Sequence, residues 1–204
     1  KIDRGFEWIV DLWGADHHGY VPRMKSALQA MGYDENVFKV MLVQFVSLKR
    51  DGEKVSMSTR SGEFETLANV IKEVGVDATR FFFLMRSSDT HLDFDLELAK
   101  KASADNPVFY IQYAHARICS IFRTATEQGI KLHDSVDVDL SPLKNEEEFV
   151  MIKKILAFTE TVEKSAELLE VHRVAFYLQD LVGTFHSYYS RNRIVSDDHA
   201  LSFA

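Results

Sequence analysis

Two apolar runs rich in β-formers, EWIVDLWGADH at 7–17 and VFKVMLVQFVSL at 37–48, flank a stretch with helical spacing. Within that stretch Val21, Met24, Ala27, Leu28 and Met31 recur at helical intervals. Pro22 falls where a first turn tolerates it, and Gly32 supplies a stop. Strand, helix, strand is a βαβ unit, and such a unit makes its two strands run parallel. Parallel strands are usually covered on both faces, so each run is expected to be a buried strand, with KRDGEK after the second as a turn. Open parallel sheets bind ligands beyond the carboxyl ends of their strands. Gly14, Asp16 and His17 stand at one such end. The segment KVSMSTRSGEF, 54–64, is expected there too: Gly52 and Gly62 frame it, and its hydroxyls with Lys54 and Arg60 suit an anion such as a phosphate. The plain alternative is a hairpin followed by a polar connection.

Beyond residue 65 the spacing predicts only helices. TLANVIKEVG has Thr66 as a cap, DATRFFFLMRS has Asp77, and DLELAKKAS starts at Asp95. Asn106 caps a long helix whose Pro107 takes the first position. Its apolar line runs through Val108, Ile111, Ala114, Ile118, Ile121, Phe122 and Ala125. A loop with Pro142 spans 129–144, two helical segments fill 145–170, and a last helix covers 171–191. The chain changes class near residue 100, from α/β to an all-helical bundle.

Composition narrows the function classes. With 204 residues and 46% hydrophobic content the chain can build a real core. No apolar run reaches the length of a membrane span, and Cys119, the one cysteine, excludes an internal disulfide and fits a reducing compartment. A net charge of −7 argues against indiscriminate nucleic-acid binding but leaves room for a local basic face. The opening Lys1 and the closing RIVSDDHALSFA suggest a piece of a longer protein.

Tyr113 and Arg117, four residues apart, share one face of the long helix beside its apolar line. An aromatic ring next to a guanidinium can stack on an unpaired base and bond its edge; the alternative is a packed Tyr with a solvated Arg. Tyr189, Arg191 and Arg193 form a similar set at the end of the last helix. His115, His172 and His186 read as packed or capping histidines, Phe81, Phe82 and Phe83 as core, and NEEEF at 145–149 as a helix start. Asp16, His17 and His18 are adjacent, and adjacent residues rarely converge on one ion, so no metal site is expected. Strand-end capping competes with ligand binding for these groups.

Four stretches in order resemble bacterial arginyl-tRNA synthetases, members of class I: WGADHHGYVPRMKSAL, VQFVSLKRDGEKVSMSTRSGEFETL, DATRFFFLMRSSDTHLDFDLELAKKASADNPVFYIQYAHARICSI and VHRVAFYLQDLVGTFHSYYS. NPVFYIQYAHARI is similar to the opening helix of that family's anticodon-binding domain, and KVSMSTRSG to its Lys-Met-Ser-Lys-Ser loop. The resemblance implies an α/β part followed by an all-α part. Residues 1–65 would be the carboxyl-terminal part of a Rossmann-type catalytic domain with its signature loop. Residues 66–104 would be a helical connection, and 105–204 an anticodon-binding bundle truncated at its end.

It further implies arginine–tRNA ligase activity: the arginine carboxylate attacks the α-phosphate of ATP, and a ribose hydroxyl of tRNA-Arg then takes the arginyl group. By this likeness Lys54, Ser56, Met57, Ser58 and Arg60 serve catalysis at the leaving pyrophosphate. Gly14, Asp16, His17 and Gln44 bind ATP or the amino acid, and Tyr113, Arg117, Tyr189 and Arg193 bind tRNA. ATP with Mg2+ enters as substrate, no cofactor is permanently bound, and a cytoplasmic monomer is implied. Ser56 and Thr59 stand where the signature has lysines, so Lys54, Arg60 or a cation from elsewhere must supply that charge. The His-Ile-Gly-His motif of class I does not occur, so the chain is expected to be inactive alone. A stand-alone tRNA-binding or regulatory module derived from such an enzyme, or a class I relative for another amino acid, are the alternatives.

Overall fold

The computed structural model describes residues 1–55, 65–130 and 138–204. The βαβ unit is present. Strand β1 (Ile9–Gly14) leads through a 3-10 segment into helix α1 (Val21–Ala30), and β2 (Phe38–Val43) pairs parallel with β1 from Ile9↔Phe38 to Gly14↔Val43. The expectation of a buried first strand is corrected, since Trp8, Val10 and Leu12 are exposed, Leu12 at 68%. Successive strand residues point to opposite faces, and among the described residues this sheet has two strands with one face left open. Both tryptophans lie here. Trp13 meets Phe38 edge-on at 5.9 Å, and the Lys39 ammonium sits 5.5 Å from the Trp8 ring.

The run 37–48 is two strands where one was expected. β3 (Val46–Arg50) leaves β2 at Gln44–Phe45 and joins a second sheet of order β4-β3-β5, with β4 (Glu53–Lys54) antiparallel and β5 (Leu92–Asp95) parallel to it. No Gly or Pro marks the break. Its backbone is instead taken up elsewhere: Gln44 N donates to Ser88 O at 2.8 Å, and His91 Nδ1 donates to Phe45 O at 2.9 Å. The turn in KRDGEK is as expected, with Asp51 and Gly52 both left-handed (φ 53° and 80°), the geometry that suits a tight hairpin. β5 corrects the expectation of helices alone beyond residue 65.

Helix α2 (Leu67–Val74) is capped by Thr66 Oγ1, which accepts from Asn69 N at 3.1 Å. Helix α3 (Val76–Leu84) is capped at Gly75, not Asp77. Gly75 closes α2 and opens α3 with φ 88°, so Asp77 falls inside the first turn, and its carboxylate accepts from Gln112 Nε2 at 3.3 Å. Asp95 caps α4 (Leu96–Lys100) by accepting from Glu97 N and Leu98 N, both at 3.0 Å. Asn106 and Pro107 open α5 (Pro107–Glu127) as expected. Residues 146–168 form one helix, α6 (Glu146–Leu168), because no Gly or Pro interrupts the expected pair of segments. Asn145 and Glu148 form its capping box. Helices α7 (His172–Arg191) and α8 (His199–Phe203) complete the chain, and α7 packs against both α5 and α6.

The main core lies where β3 and β5 meet α2, α3 and α4. Phe94 and Leu96 are fully buried, Phe82 packs edge-on and Phe83 flat against Phe94, each at 5.4 Å, and Val108 brings the start of α5 into the same cluster. An ion network clamps the edge of this core. Arg50 grips Glu73 with two bonds of 2.7 and 2.9 Å, and Lys100 bonds both Glu73 (3.0 Å) and Glu97 (2.6 Å). The Arg50 and Lys100 hydrogen bonds hold the Glu73 carboxyl down at about 2. Among the described residues no helix is long and apolar enough to cross a membrane.

Candidate functional site

Two groups of the expected residues are described, at opposite ends of the chain. At the carboxyl ends of β1 and β2 stand Gly14, Asp16, His17 and Gln44. Gly14 permits the tight passage into the 3-10 segment, for a Cβ there would lie 2.6 Å from Asp16 Oδ1. Asp16 Oδ2 and His17 Nε2 are 3.7 Å apart with both side chains 58% exposed, a weak solvated pair. His17 also lines a shallow hollow of about 360 Å³ with Trp13, Tyr20 and Met24. Lys54 is exposed on β4, and Val55 N donates to Leu48 O, which sets Val55 beside β3. Ser56, Met57, Ser58 and Arg60 lie outside the described residues.

The helical half assembles the second group. On α5, Val108 and Ala114 are buried, and Tyr113 is left 44% exposed. Arg117, one turn on, donates from Nη2 to Tyr113 Oη at 2.9 Å. Its guanidinium lies over the Tyr113 ring at 4.4 Å and over the Tyr189 ring, on α7, at 4.8 Å. Sequence reasoning put Tyr113 and Arg117 on one face; the structure adds Tyr189 to the same contact. It does not bring Arg193 into it: Arg193 Nε donates to Val195 O at 2.9 Å, and the side chain lines a neighbouring groove of about 460 Å³ with Tyr189, Ser120 and Thr124. Arg191 turns away to Glu147 at 2.8 Å.

One member was missed as a site residue. His186, 8% exposed, lies under the group, its ring 4.4 Å from that of Tyr110 and 5.5 Å from that of Tyr113. Its Nδ1 is 3.2 Å from Arg117 Nη1 and its Nε2 is 3.1 Å from Tyr110 O. The three-residue step from His186 to Tyr189 on one helix was the available signal. Chemically the arrangement offers half-exposed aromatic surface beside a guanidinium, with Arg117 forming no ion pair among the described residues. Such a surface accepts stacked bases and hydrogen-bond acceptors.

Residues 111–203 match the DALR anticodon binding domain. Over 199 residues, 97% of this chain, it is 56% identical to an "Arginine--tRNA ligase" of Geobacter sp. strain M21. Over 201 residues it is 53% identical to the "Arginine--tRNA ligase" of Desulfovibrio desulfuricans. It spans 36% of the length of each of these curated relatives. Among solved structures it is similar to a Campylobacter jejuni chain assigned as an arginyl-tRNA synthetase, with a TM-score of 0.85 and 35% identity, covering 99% of this chain and 46% of that one.

Proposed function

This chain is homologous to the carboxyl-terminal portion of arginine–tRNA ligases, and from that premise we propose that it works in the ATP-dependent joining of arginine to tRNA-Arg. Residues 1–65 are read as the last part of a Rossmann-type nucleotide-binding domain, 66–104 as a helical connection and 105–204 as an anticodon-binding bundle. In the whole ligase, ATP with Mg2+ and arginine meet beyond the carboxyl ends of β1 and β2. Gly14 gives close backbone approach there, and Asp16, His17 and Gln44 offer polar groups. Lys54, with Ser56, Met57, Ser58 and Arg60, stabilises charge on the leaving pyrophosphate. Positioning and charge stabilisation carry such a reaction, with no covalent enzyme intermediate. The setting is cytoplasmic.

One observation carries the reading. The Tyr113–Arg117–Tyr189 contact lies inside the segment that matches an anticodon binding domain. On a chain of net charge −7, RNA binding has to be confined to a patch of this kind. The test is a titration of the chain with a synthetic RNA hairpin carrying an arginine anticodon, beside one with a scrambled loop. Tighter binding of the first is expected. Equal binding of both removes the anticodon-reading role.

A further inference from the structure

We propose that His186 is a positioning residue for RNA recognition: it orients the Arg117 guanidinium without cancelling its charge. The inference rests on the anticodon-binding reading above. A guanidinium can only donate, so at 3.2 Å from Arg117 Nη1 the His186 Nδ1 must accept. A backbone carbonyl can only accept, so at 3.1 Å from Tyr110 O the His186 Nε2 must carry the proton. The two bonds together select one species, the neutral imidazole protonated at Nε2. The ring is held in that orientation by burial and by Tyr110, Tyr113 and Phe185, with centroids at 4.4, 5.5 and 5.8 Å.

The choice of a neutral acceptor matters. An arginine is usually fixed by a carboxylate, which orients it and neutralises it at once. Arg117 is fixed instead by an imidazole nitrogen, a phenol oxygen and two ring faces, all uncharged. Two of its five N–H donors are used in this way, and the other three have no partner among the described residues. The cation is thus preorganised with its charge and most of its donors kept for a ligand, the arrangement that lowers the ordering cost of binding. The ligand class is the acceptor edge of an unpaired RNA base, since the half-exposed Tyr113 gives such a base an aromatic neighbour beside the donors.

The experiment uses this chain, the arginine-anticodon hairpin and the scrambled hairpin. His186→Phe keeps a ring and removes both nitrogens; His186→Asn restores an acceptor near the Nδ1 position. Loss of one hydrogen bond to a charged group predicts hairpin binding weakened about tenfold in His186→Phe, with most of it recovered in His186→Asn. Thermal melts of both variants separate this from unfolding, because a purely structural loss would follow melting temperature and not the acceptor. Nitrogen NMR of the imidazole, with no RNA present, should give a bare Nδ1 and a protonated Nε2. A proton on Nδ1, wild-type affinity in His186→Phe, or no recovery in His186→Asn overturns the proposal. Wild-type binding blind to the anticodon sinks the anticodon-binding reading itself and the recognition role with it, a result distinguishable because the NMR signature does not depend on RNA.

Discussion

Asn106 carries three bonds on one carboxamide. Its Oδ1 accepts from Val108 N at 3.0 Å, and its Nδ2 donates to Ala99 O at 3.0 Å and Lys101 O at 2.9 Å, all at 4% exposure. The cap is local and legible in the sequence; the two carbonyls that it reaches back to are tertiary and are not. Asn106→Ala therefore removes a cap and also strands buried carbonyls, and is expected to cost about 2–4 kcal/mol in urea unfolding. Asn106→Asp keeps the acceptor and loses the donors, so its loss should fall below that of Ala only if the cap dominates. Tyr113 has the opposite character. At 44% exposure little core depends on it, yet its ring stacks on His186 and lies under Arg117. Tyr113→Ala should weaken hairpin binding by about 1–3 kcal/mol, read by titration, with a small change in melting temperature.

Elements were legible where their signals are local. The caps at Thr66, Asp95 and Asn106 sit where their side chains said, because an N-cap needs only its own next turn. The break at Gln44 was not legible, since nothing in VMLVQFVSL disfavours a continuing strand and the separation comes from Ser88 and His91 far along the chain. β5 was legible and overlooked. Leu92, Phe94 and Leu96 alternate with Asp93 and Asp95, a strand period lying against a helix cap. The candidate site divides in the same manner: Tyr113 and Arg117 follow from one helix's spacing, whereas the meeting with Tyr189 and His186 needs the packing of α5 on α7.

The clamp of β3, α2 and α4 through Glu73 yields a pH dependence. Its folded value of about 2 lies below the ordinary 4.5. A depressed acid contributes stability that is complete above its unfolded value and is lost as pH falls toward its folded one. Wild-type melting temperature should thus decline between about 4.5 and about 2, and Glu73→Gln should show a shallower decline over that window. Parallel curves for the two proteins would mean that Arg50 and Lys100 contribute nothing through this carboxylate.

At the scale of the whole molecule, the chain spans 36% of the length of two curated relatives that it matches, and the two sheets among the described residues are small. Arginine-dependent pyrophosphate exchange by the isolated chain is expected to stay at background while hairpin binding persists, which two assays on one preparation can check. Clear exchange would mean that this chain holds a complete active site. The placement of Trp8 and Trp13 on and beside β1 has an optical consequence. Residues beyond 13 contain no tryptophan, so indole emission reports the small parallel sheet alone, while far-ultraviolet ellipticity is dominated by α5, α6 and α7. The sheet leaves Trp8, Val10 and Leu12 exposed on its open face, whereas α5 and α7 bury Ala114, Ala125, Ala175, Val182 and His186, and local stability follows buried contacts. In a denaturant series the emission shift should come at lower concentration than the loss of ellipticity, so that one unlabelled sample displays the unfolding order of its two ends.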